Sequence, residues 1–512
     1  MEYIAKKINN TIYPLNADIT SVNTEYITSK DELGWAILRR GLTFIFIVAC
    51  KRLNPKAEVK VMHSLNRGLY CKVLSEEKLS LMDIKNKMKE IIDKDLPFKN
   101  IKMPKEEVLD LLKVNTFVKD KYYLFAHKDT EIVELNELDG VYDYFYGVLP
   151  PSTRFNSVFD IQGIKGKTNE FIVLTSQREN PDKVLPLQIC DKICDVYEER
   201  KHWAEITGIN LLSDLNKVVS DNNHKDLIEM TEALHERKIA EIASKINDSK
   251  KKVVLIAGPS SSGKTTFCHR LSVQLRTYGL SPKSISVDDY FHNNNELPLE
   301  EDGKPDFENI TALDTELLNE HIVDLLSGKE IEVPVFNFLT GMREWSGKKM
   351  KLKENELLIL EGIHCLNPAM TEKVPEDLKY YIYISALTQV NIDFHNRIST
   401  TDLRFCRRLV RDFYYRGASP ERTFELWQNV RKGEKKYIFP YQETAMSVFN
   451  SELSYEINVL KKYAVPLLEK IPRSSVYFSK AQELLDMFSY VKTLEDHRFI
   501  PPNSILKEFL PK

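Results

Sequence analysis

The sequence predicts a multidomain chain, with an α/β back half built on a mainly parallel sheet flanked by helices and an α+β front half. At mid-chain a glycine-rich loop joins an apolar strand pattern to a helix pattern. Strand and helix patterns then alternate across residues 251–512, as in a parallel α/β sheet. Because 512 residues are too many for one hydrophobic core, we expect about three domains.

The composition indicates a globular protein whose partners are small molecules. Apolar residues make up 42% of the chain and charged residues 29%, and the net charge of −3 gives no global signature of nucleic-acid binding. The longest apolar run, residues 42–50, is shorter than a membrane span, and the first ten residues lack the apolar core of a leader. Seven dispersed cysteines favour free thiols. We expect a cytoplasmic protein without a membrane anchor.

The front half shows short mixed elements followed by helices. Residues 1–33 are strand-like, and residues 179–250 carry apolar side chains at helical spacing, which predicts a helical connector. Residues 34–178 mix both patterns. The elements predicted there are a helix over 35–53, two strands within 57–74, a helix over 80–94, and tyrosine-rich strands around 121–128 and 141–151.

The mid-chain loop reads GPSSSGKT from Gly258 to Thr265 and matches the pattern G-x-x-x-x-G-K-[ST]. Glycines let the backbone turn its N–H groups towards phosphate oxygens, and the following helix adds its partial positive charge. We expect Lys264 to reach the β and γ phosphates of ATP, and the Thr265 hydroxyl to ligate Mg²⁺. The predicted ATP-binding residues are Gly258, Pro259, Ser260, Ser261, Ser262, Gly263, Lys264, Thr265 and Thr266.

Two carboxylate positions follow the loop at the ends of predicted strands. Asp288 and Asp289 end the segment SISVDD, whose strand we expect beside the loop strand, and Glu361 ends the apolar run LLIL. A kinase needs one carboxylate near the acceptor hydroxyl and another near the metal, at strand ends that neighbour the loop. Either acid alone could be a solvated strand cap, but together they favour the catalytic reading.

A third group is an arginine-rich helix pattern, TTDLRFCRRLVRDFYYRG. Its guanidinium groups recur at spacings of three and four residues, so one face of a lid helix could close over a transferring phosphoryl group. A solvated basic face balanced by Asp402 and Asp412 is the alternative. The arginines are Arg404, Arg407, Arg408, Arg411 and Arg416.

Segment 251–460, which contains these residues, resembles the uridine kinase and phosphoribulokinase family of P-loop kinases. The family motif S-x-D-x-F-Y is matched by residues 286–291, which implies Asp288 as general base and Phe291 as a nucleoside contact. The motif F-D-H-P-D-A-F is similar to residues 307–313, with Glu308 in place of the Asp that binds the ribose. Glu361 falls on the metal-site Glu of the family. The implied catalytic set is Asp288, Lys264, Arg404, Arg408, Arg411 and Arg416.

The segment that reads the base in uridine–cytidine kinases, P-V-Y-D-F-V-S-H-S-R, aligns with residues 334–343. Phe336 replaces its Tyr, Gly341 replaces its His, and Arg343 keeps its Arg. Two polar contacts are lost and space is expected to open, which predicts a relaxed or shifted base preference because an apolar, roomier pocket discriminates weakly. Uridine and cytidine remain the leading substrates, with a purine nucleoside as rival.

The front half resembles other modules. Residues 1–33 are similar to the second half of a TGS domain. Residues 34–178 resemble the second additional domain of threonyl-tRNA synthetase, which hydrolyses mischarged seryl-tRNA, through the segments KVMHSLNRGLY, DLPFKNIKMPKEEVLDLL and GVLPPST. With the connector 179–250 and the kinase region 251–512, the order resembles the multidomain uridine kinase-like nucleoside kinases of bacteria.

The editing constellation of that domain, H-x-x-x-H with a later Cys and His, is mostly replaced here. His63 stands, but Arg67 takes the second His position, Phe145 the Cys position and Leu149 the last His position. A site that positions water or a metal needs several convergent donors. We therefore predict that residues 34–178 do not hydrolyse aminoacyl-tRNA and bind a regulator, an RNA or a second copy of the chain instead.

The leading function is ATP- and Mg²⁺-dependent phosphorylation of a nucleoside 5′-hydroxyl. A phosphoribulokinase-like sugar kinase would share the loop, base and lid but present a charged acceptor pocket. A non-catalytic switch, in which ATP controls RNA recognition by the front half, would not require Asp288. The oligomeric state is left open.

Overall fold

The computed structural model describes residues 2–19, 21, 23–65, 68–114, 119–126, 128, 130–178, 180–187, 191–299, 303, 306–338, 340–388 and 390–512. A small antiparallel sheet opens the chain, with strand order β2-β1-β3. Its apolar face packs on the next helix, where Ile37 and Leu38 are buried against Ile4 and Ile27. The elements are β1 (Tyr3–Ile8), β2 (Thr11–Pro14), β3 (Thr24–Thr28) and α1 (Glu32–Leu53).

Helix α1 is the core helix of the front half. Among the described residues it is the one helix long and apolar enough to cross a membrane, yet 72% of its most apolar window is buried inside the protein, as in the core helix of a soluble protein. Phe44, Ile47 and Val48 have no exposed surface. The apolar run is explained by burial against protein on several sides.

Helix α1 lies on a four-stranded antiparallel sheet with strand order β4-β5-β10-β9. Val59 and Val61 of β4 face the helix because alternate strand residues share a face. Helix α2 adds Ile84, Met88 and Ile91, spaced one helical turn apart, to the same core. The elements are β4 (Glu58–Leu65), β5 (Gly68–Leu74), β9 (Phe159–Gly163), β10 (Glu170–Thr175) and α2 (Leu81–Asp93).

In the tyrosine-rich segment at 121–128, residues 121–126 form a helix, so the predicted strand there is wrong. Tyrosines favour strands by propensity, but Lys121, Leu124 and Phe125 sit one helical turn apart and are all buried. Of the second predicted strand, only Val141–Asp143 is extended. The surrounding elements are β6 (Lys99–Pro104), α3 (Lys105–Val114), α4 (Lys119–Ala126), β7 (Ile132–Leu138) and β8 (Val141–Asp143).

The connector is helical where it is described, with α5 (Asp191–Thr207), α6 (Leu212–Ser220) and α7 (His224–Ser249). Ile239, Ile242 and Ile246 of α7 pack against the back-half sheet in the same core as Phe267. In the preceding turns of α7, the carboxylates of Glu232 and Glu236 bind the buried Arg270 guanidinium at 3.1 and 2.8 Å. The last connector helix is thus a structural layer of the back half.

The back half contains a five-stranded parallel sheet with strand order β12-β15-β11-β16-β17, covered by apolar clusters on both faces. This confirms the predicted mainly parallel α/β fold. The prediction that the strand before Asp288 lies beside the loop strand is wrong. The strand that ends at Glu361 lies between them. The elements are β11 (Val253–Ala257), α8 (Lys264–Thr277), β12 (Ser281–Ser286), α9 (Thr315–Leu326), β15 (Glu356–Glu361), β16 (Lys379–Ser385) and β17 (Ser447–Asn450).

The rest of the back half surrounds the carboxyl ends of these strands. A two-stranded hairpin stands outside the main sheet, and four helices carry the arginine-rich segment and the region after it. These elements are β13 (Ile331–Asn337), β14 (Met342–Met350), α10 (Thr400–Arg416), α11 (Pro420–Gly433), α12 (Glu456–Leu468) and α13 (Phe478–Ser489).

The two halves are joined by buried polar contacts. The Val61 N–H donates to the Phe394 carbonyl at 2.8 Å, and the Asn391 amide donates to the Val61 carbonyl at 2.8 Å. Beside them, Lys121 pairs with the Asp143 carboxylate, which also contacts His395 at 2.7 Å. Because most of these polar groups are buried, separating the halves would leave hydrogen-bonding groups without partners.

Candidate active site

The loop after β11 folds back on itself as the motif requires. A Cβ atom on Gly258 would lie 2.2 Å from the Ile384 carbonyl oxygen, so only glycine fits. Gly263 has φ +83°, the left-handed region that favours glycine, and it lies against the Ile505 side chain. Helix α8 begins at the next residue, so the N–H groups of its first turn lie beside the loop.

Lys264 lies across the loop. Its ammonium group donates to the Gly258 carbonyl at 2.9 Å and approaches the Pro259 carbonyl at 3.5 Å. The Thr265 hydroxyl donates to Glu361 Oε1 at 3.2 Å. The predicted phosphate-binding lysine and the two predicted metal ligands are thus brought together at the carboxyl ends of β11 and β15.

Asp288 lies in a short turn after β12 and belongs to the same cleft. Burial raises the pKa of its carboxyl group, and the charges of Lys264, Arg416 and Arg411 partly offset that rise. Asp289 points elsewhere, because its Oδ1 accepts a hydrogen bond from the Phe336 N–H at 3.2 Å. The geometry therefore favours Asp288 over Asp289 as the acid that faces the loop.

Two further carboxylates gather at this end of the sheet. Burial raises the pKa of Glu361 to about 7, with Asp288 and Glu508 adding to the rise and Lys264 opposing it. Burial also raises the pKa of Glu308 to about 7, with Arg408 opposing. Acids that disfavour one another's ionisation make a site that a cation would stabilise.

These residues fit Mg²⁺ bound together with a nucleotide. Among the described residues, no three His, Cys, Asp or Glu side chains are grouped so as to hold a metal by themselves. Mg²⁺ commonly takes only one or two protein ligands and completes its shell with phosphates and water. Thr265 and Glu361 would therefore be a sufficient protein contribution, and Lys264 with the helix start would supply the complementary charge for phosphates.

The arginine-rich helix does not act as one lid face. Arg404 is 1% exposed, and its Nε and Nη2 donate to the Ser260 carbonyl at 2.9 and 2.8 Å while it pairs with Glu434. Arg407 is fully buried, pairs with Glu456 and donates to the Ser261 carbonyl at 3.3 Å. The prediction that Arg404 covers the phosphoryl group thus differs from the structure, in which Arg404 supports the loop backbone.

The other arginines on this helix lie nearer the cleft. Arg408 donates to the Ser260 hydroxyl at 2.8 Å. Arg408, Arg411 and Arg416 all contact the Asp412 carboxylate, at 3.0, 2.7 and 3.7 Å. Asp412 therefore gathers three positive charges, and two of them, Arg411 and Arg416, act on Asp288.

An aromatic cluster lies next to the turn that carries Asp288, where the Phe336 N–H donates to Asp289. The Phe336 ring packs 5.5 Å from Phe291 and 5.0 Å from Phe338. Phe338 is 57% exposed, and the Arg416 guanidinium lies 5.7 Å from its ring centre. Phe291 and Phe336 are thus the buried members of this cluster, and Phe338 is its exposed member.

The prediction that space opens at Gly341 is wrong. A Cβ atom there would lie 1.8 Å from the Asn294 amide nitrogen, so the Asn294 side chain fills the place. Arg343 is also engaged, because it donates to Asp314 Oδ2 at 2.8 Å. The sequence gives no motif for Asn294, because the family's base-reading segment aligns with residues 334–343, whereas Asn294 belongs to the NNN run at 293–295.

In the front half, the residues of the predicted editing position form no open site. The His63 ring stacks on Tyr197 of the connector, with ring centres 3.5 Å apart and planes at 5°. Phe145 and Leu149 are buried in the apolar core, and Arg67 lies outside the described residues. Burial lowers the pKa of His63 well below 6.5, and the Arg397 charge lowers it further.

Comparison with known proteins relates the back half to a family of kinases. Residues 253–456 match the Phosphoribulokinase / Uridine kinase family. A uridine kinase of Ligilactobacillus salivarius is 30% identical over 186 residues, which are 36% of this chain and 78% of that protein. A uridine kinase of Anoxybacillus flavithermus is 31% identical over 198 residues, which are 38% of this chain and 84% of that protein.

A solved structure, a possible uridine kinase from Bacillus stearothermophilus, is 20% identical and aligns with a TM-score of 0.25 over 29% of this chain and 79% of its own. The matched family segment holds the loop, Asp288, Glu308, Glu361 and the arginine-rich helix. The relatives are matched over more than three quarters of their own length. The chain therefore belongs to the phosphoribulokinase and uridine kinase family of kinases.

Proposed function

We propose that the chain transfers the γ-phosphate of ATP to the 5′-hydroxyl of a nucleoside in the cytoplasm, with Mg²⁺ as cofactor. The observation that carries this proposal is that Arg416 connects the base and the aromatic cluster: like Lys264, it acts on the Asp288 carboxylate, and its guanidinium lies 5.7 Å from the Phe338 ring centre. A base near both a phosphate site and an aromatic cluster suits an acceptor with a hydroxyl and a flat ring.

The phosphate end of the reaction uses fixed positive groups. The loop N–H groups and Lys264 would hold the β and γ phosphates, and Thr265 and Glu361 would hold Mg²⁺, which supplies charge neutralisation when bound. Arg411 and Arg416 lie on the Asp288 side of the loop and would stabilise the charge that develops on the transferring group. Arg404 and Arg407 keep the loop backbone in place.

Asp288 is suited to take the proton from the acceptor hydroxyl. Burial raises the pKa of its carboxyl group, which makes the ionised form a stronger base than an exposed aspartate. The charges of Lys264, Arg416 and Arg411 oppose the rise in pKa and favour that ionised form. Glu308 would receive the ribose hydroxyls, as the family motif implies.

The base of the nucleoside would lie against the exposed Phe338 ring. Asn294 would offer an amide to its polar edge, because this side chain occupies the place of the family's reading His. An amide can pair with either ring type, so we propose uridine or cytidine as first substrates, with adenosine and inosine as the purine comparison.

A screen of purified full-length protein with ATP and Mg²⁺ tests the proposal. We expect phosphate transfer to at least one nucleoside and none to pentose phosphates, measured as ADP formation and product mass. Transfer to a pentose phosphate alone would indicate a phosphoribulokinase-like sugar kinase. ATP binding without transfer to any acceptor would indicate a nucleotide-dependent switch.

The metal role is tested with Glu361→Gln. Loss of one carboxylate charge from a site with a single protein carboxylate should raise the Mg²⁺ concentration needed for half-maximal activity by about ten-fold. Exposed Glu372→Gln is the matched control. An unchanged Mg²⁺ requirement would mean that Glu361 is only a strand cap.

For the front half, we propose a binding role without hydrolysis of aminoacyl-tRNA. The stack of His63 on Tyr197 supports it, because a catalytic imidazole needs access to its substrate. Deacylation of mischarged seryl-tRNA by the full chain, lost in His63→Ala, would contradict this proposal.

A further inference from the structure

A carboxylate from far along the chain sits at the start of helix α8. Glu508 Oε2 accepts a hydrogen bond from the Thr266 N–H at 3.1 Å and another from the Thr266 hydroxyl at 2.8 Å. The two residues are 242 positions apart in sequence. Glu508 also lies beyond residues 253–456, the segment that matches the family.

The segment that carries Glu508 is fixed by its neighbours. Ile505 and Phe509 are fully buried in the same core as Phe267 of α8. Ile505 packs against Gly263, where a Cβ atom would lie 2.4 Å from its Cγ2. Phe509 lies under the Arg407 guanidinium at 5.0 Å. The backbone of this segment is thus part of the loop's foundation.

The Glu508 side chain itself has more freedom. It is only partly buried, whereas Ser504, Ile505, Leu506 and Phe509 have no exposed surface. A glutamate has three rotatable bonds, so its carboxylate can leave Thr266 by side-chain rotation without movement of the buried segment.

The position that the carboxylate occupies is one where a nucleotide phosphate binds. In loops of this kind the backbone N–H groups at the helix start cradle the α and β phosphates. The Thr266 N–H and hydroxyl are donors of that first turn, and here both donate to Glu508. An α-phosphate and the Glu508 carboxylate cannot use these two donors at the same time.

We propose, on the basis of the proposed function, that Glu508 is a residue of the nucleotide site. Its carboxylate is an internal anion that competes with the phosphate chain of ATP and so sets the affinity for the phosphate donor. Binding of ATP requires the carboxylate to rotate away from Thr266. The region after the family segment thereby tunes how tightly the kinase holds its donor.

Calorimetric titration of the full chain with MgATP, MgADP and the accepted nucleoside tests this. We expect Glu508→Gln to bind ATP and ADP about ten-fold more tightly, because a neutral amide competes less well for the two donors. Affinity for the nucleoside alone should stay the same, since Glu508 is on the donor side. Exposed Glu372→Gln is the control and should bind as the parent does.

A second variant and a stability measurement separate this role from helix capping. Glu508→Asp keeps the charge but shortens the side chain, so its ATP affinity should lie between those of the parent and Glu508→Gln. If Glu508 only caps α8, Glu508→Gln would lower the melting temperature and leave ATP affinity unchanged or weaker, which overturns the proposal. If neither parent nor variant binds any nucleotide, the proposed function itself fails.

Discussion

Polar side chains have opposite surroundings at the loop site of the back half and at the His63 position of the front half. Around Lys264, the carboxylates of Asp288, Glu308 and Glu361 lie in one cleft, and burial raises their pKa values. At the other position, His63 is covered by Tyr197. Carboxylates whose ionisation is disfavoured by burial in an accessible cleft indicate a ligand-binding site, whereas a covered imidazole indicates a structural role.

The largest expected effect is that of Lys264→Ala. It removes the ammonium group that donates to the Gly258 carbonyl across the loop, so phosphate transfer should fall about 10³-fold. Exposed Lys245→Ala on α7 controls for loss of a lysine charge. A rate of phosphate transfer within a few-fold of the parent's would contradict the difference between the two regions, because the back-half charges would then also have only a structural role.

Next in size is Asp288→Asn, which should lower turnover about 10²-fold while ATP still binds. Asp289→Asn is the neighbouring control, because Asp289 accepts a hydrogen bond from the β13 backbone and faces away from the loop. It should change turnover by only a few-fold. Equal losses in both variants would contradict the assignment of the base to Asp288.

Asn294→Ala should have a smaller effect, confined to specificity. If this amide contacts the base, its removal should reduce discrimination among nucleosides about ten-fold without changing the turnover of the best substrate by more than a few-fold. Asn295→Ala is the adjacent control, also exposed. Competition kinetics across uridine, cytidine, adenosine and inosine measures the effect, and unaltered selectivity would exclude Asn294 as the reader of the base.

The smallest effect on catalysis is expected at His63, where His63→Phe should leave turnover unchanged because the ring is stacked and neutral. Its effect is on pH dependence. Burial lowers the pKa of His63 well below its ordinary 6.5, so the unfolded chain binds a proton that the folded chain excludes. Stability from this group is present above pH 6.5 and is lost by about 1.4 kcal/mol per unit as the pH falls below it.

Thermal unfolding of the parent and His63→Phe between pH 8 and pH 5 measures this term. The difference in melting temperature should shift in favour of the variant as the pH falls. Parallel curves would mean that His63 is already free to take up a proton, and the front-half position would then resemble an accessible site.

The sequence predicted the parts of the molecule that depend on local pattern. The loop, the strand that ends at Glu361 and the helix of arginines all follow from spacing, because these elements are set by neighbours in sequence. The strand order could not be predicted from the sequence, because the position of β15 between β11 and β12 depends on long-range strand pairing.

The site was harder to predict wherever a distant residue decides what a side chain meets. Spacing places Arg404 and Arg407 on one helix, but the buried partners Glu434 and Glu456 determine that these arginines lie under the loop. A glycine at 341 suggests space by composition, yet Asn294 fills it. Glu508 carried no local signal at all, since its partner is 242 residues away.

The packing of residues 504–510 beneath the loop has a consequence for biosynthesis. Val254 and Ile256 of the loop strand share their core with Ile505 and Phe509, so this core cannot close until the later segment has left the ribosome. Until then, Gly263 lacks the Ile505 side chain against which it packs. Contacts of such high sequence separation form late and slowly, so the loop strand leaves the ribosome well before the segment that completes its core.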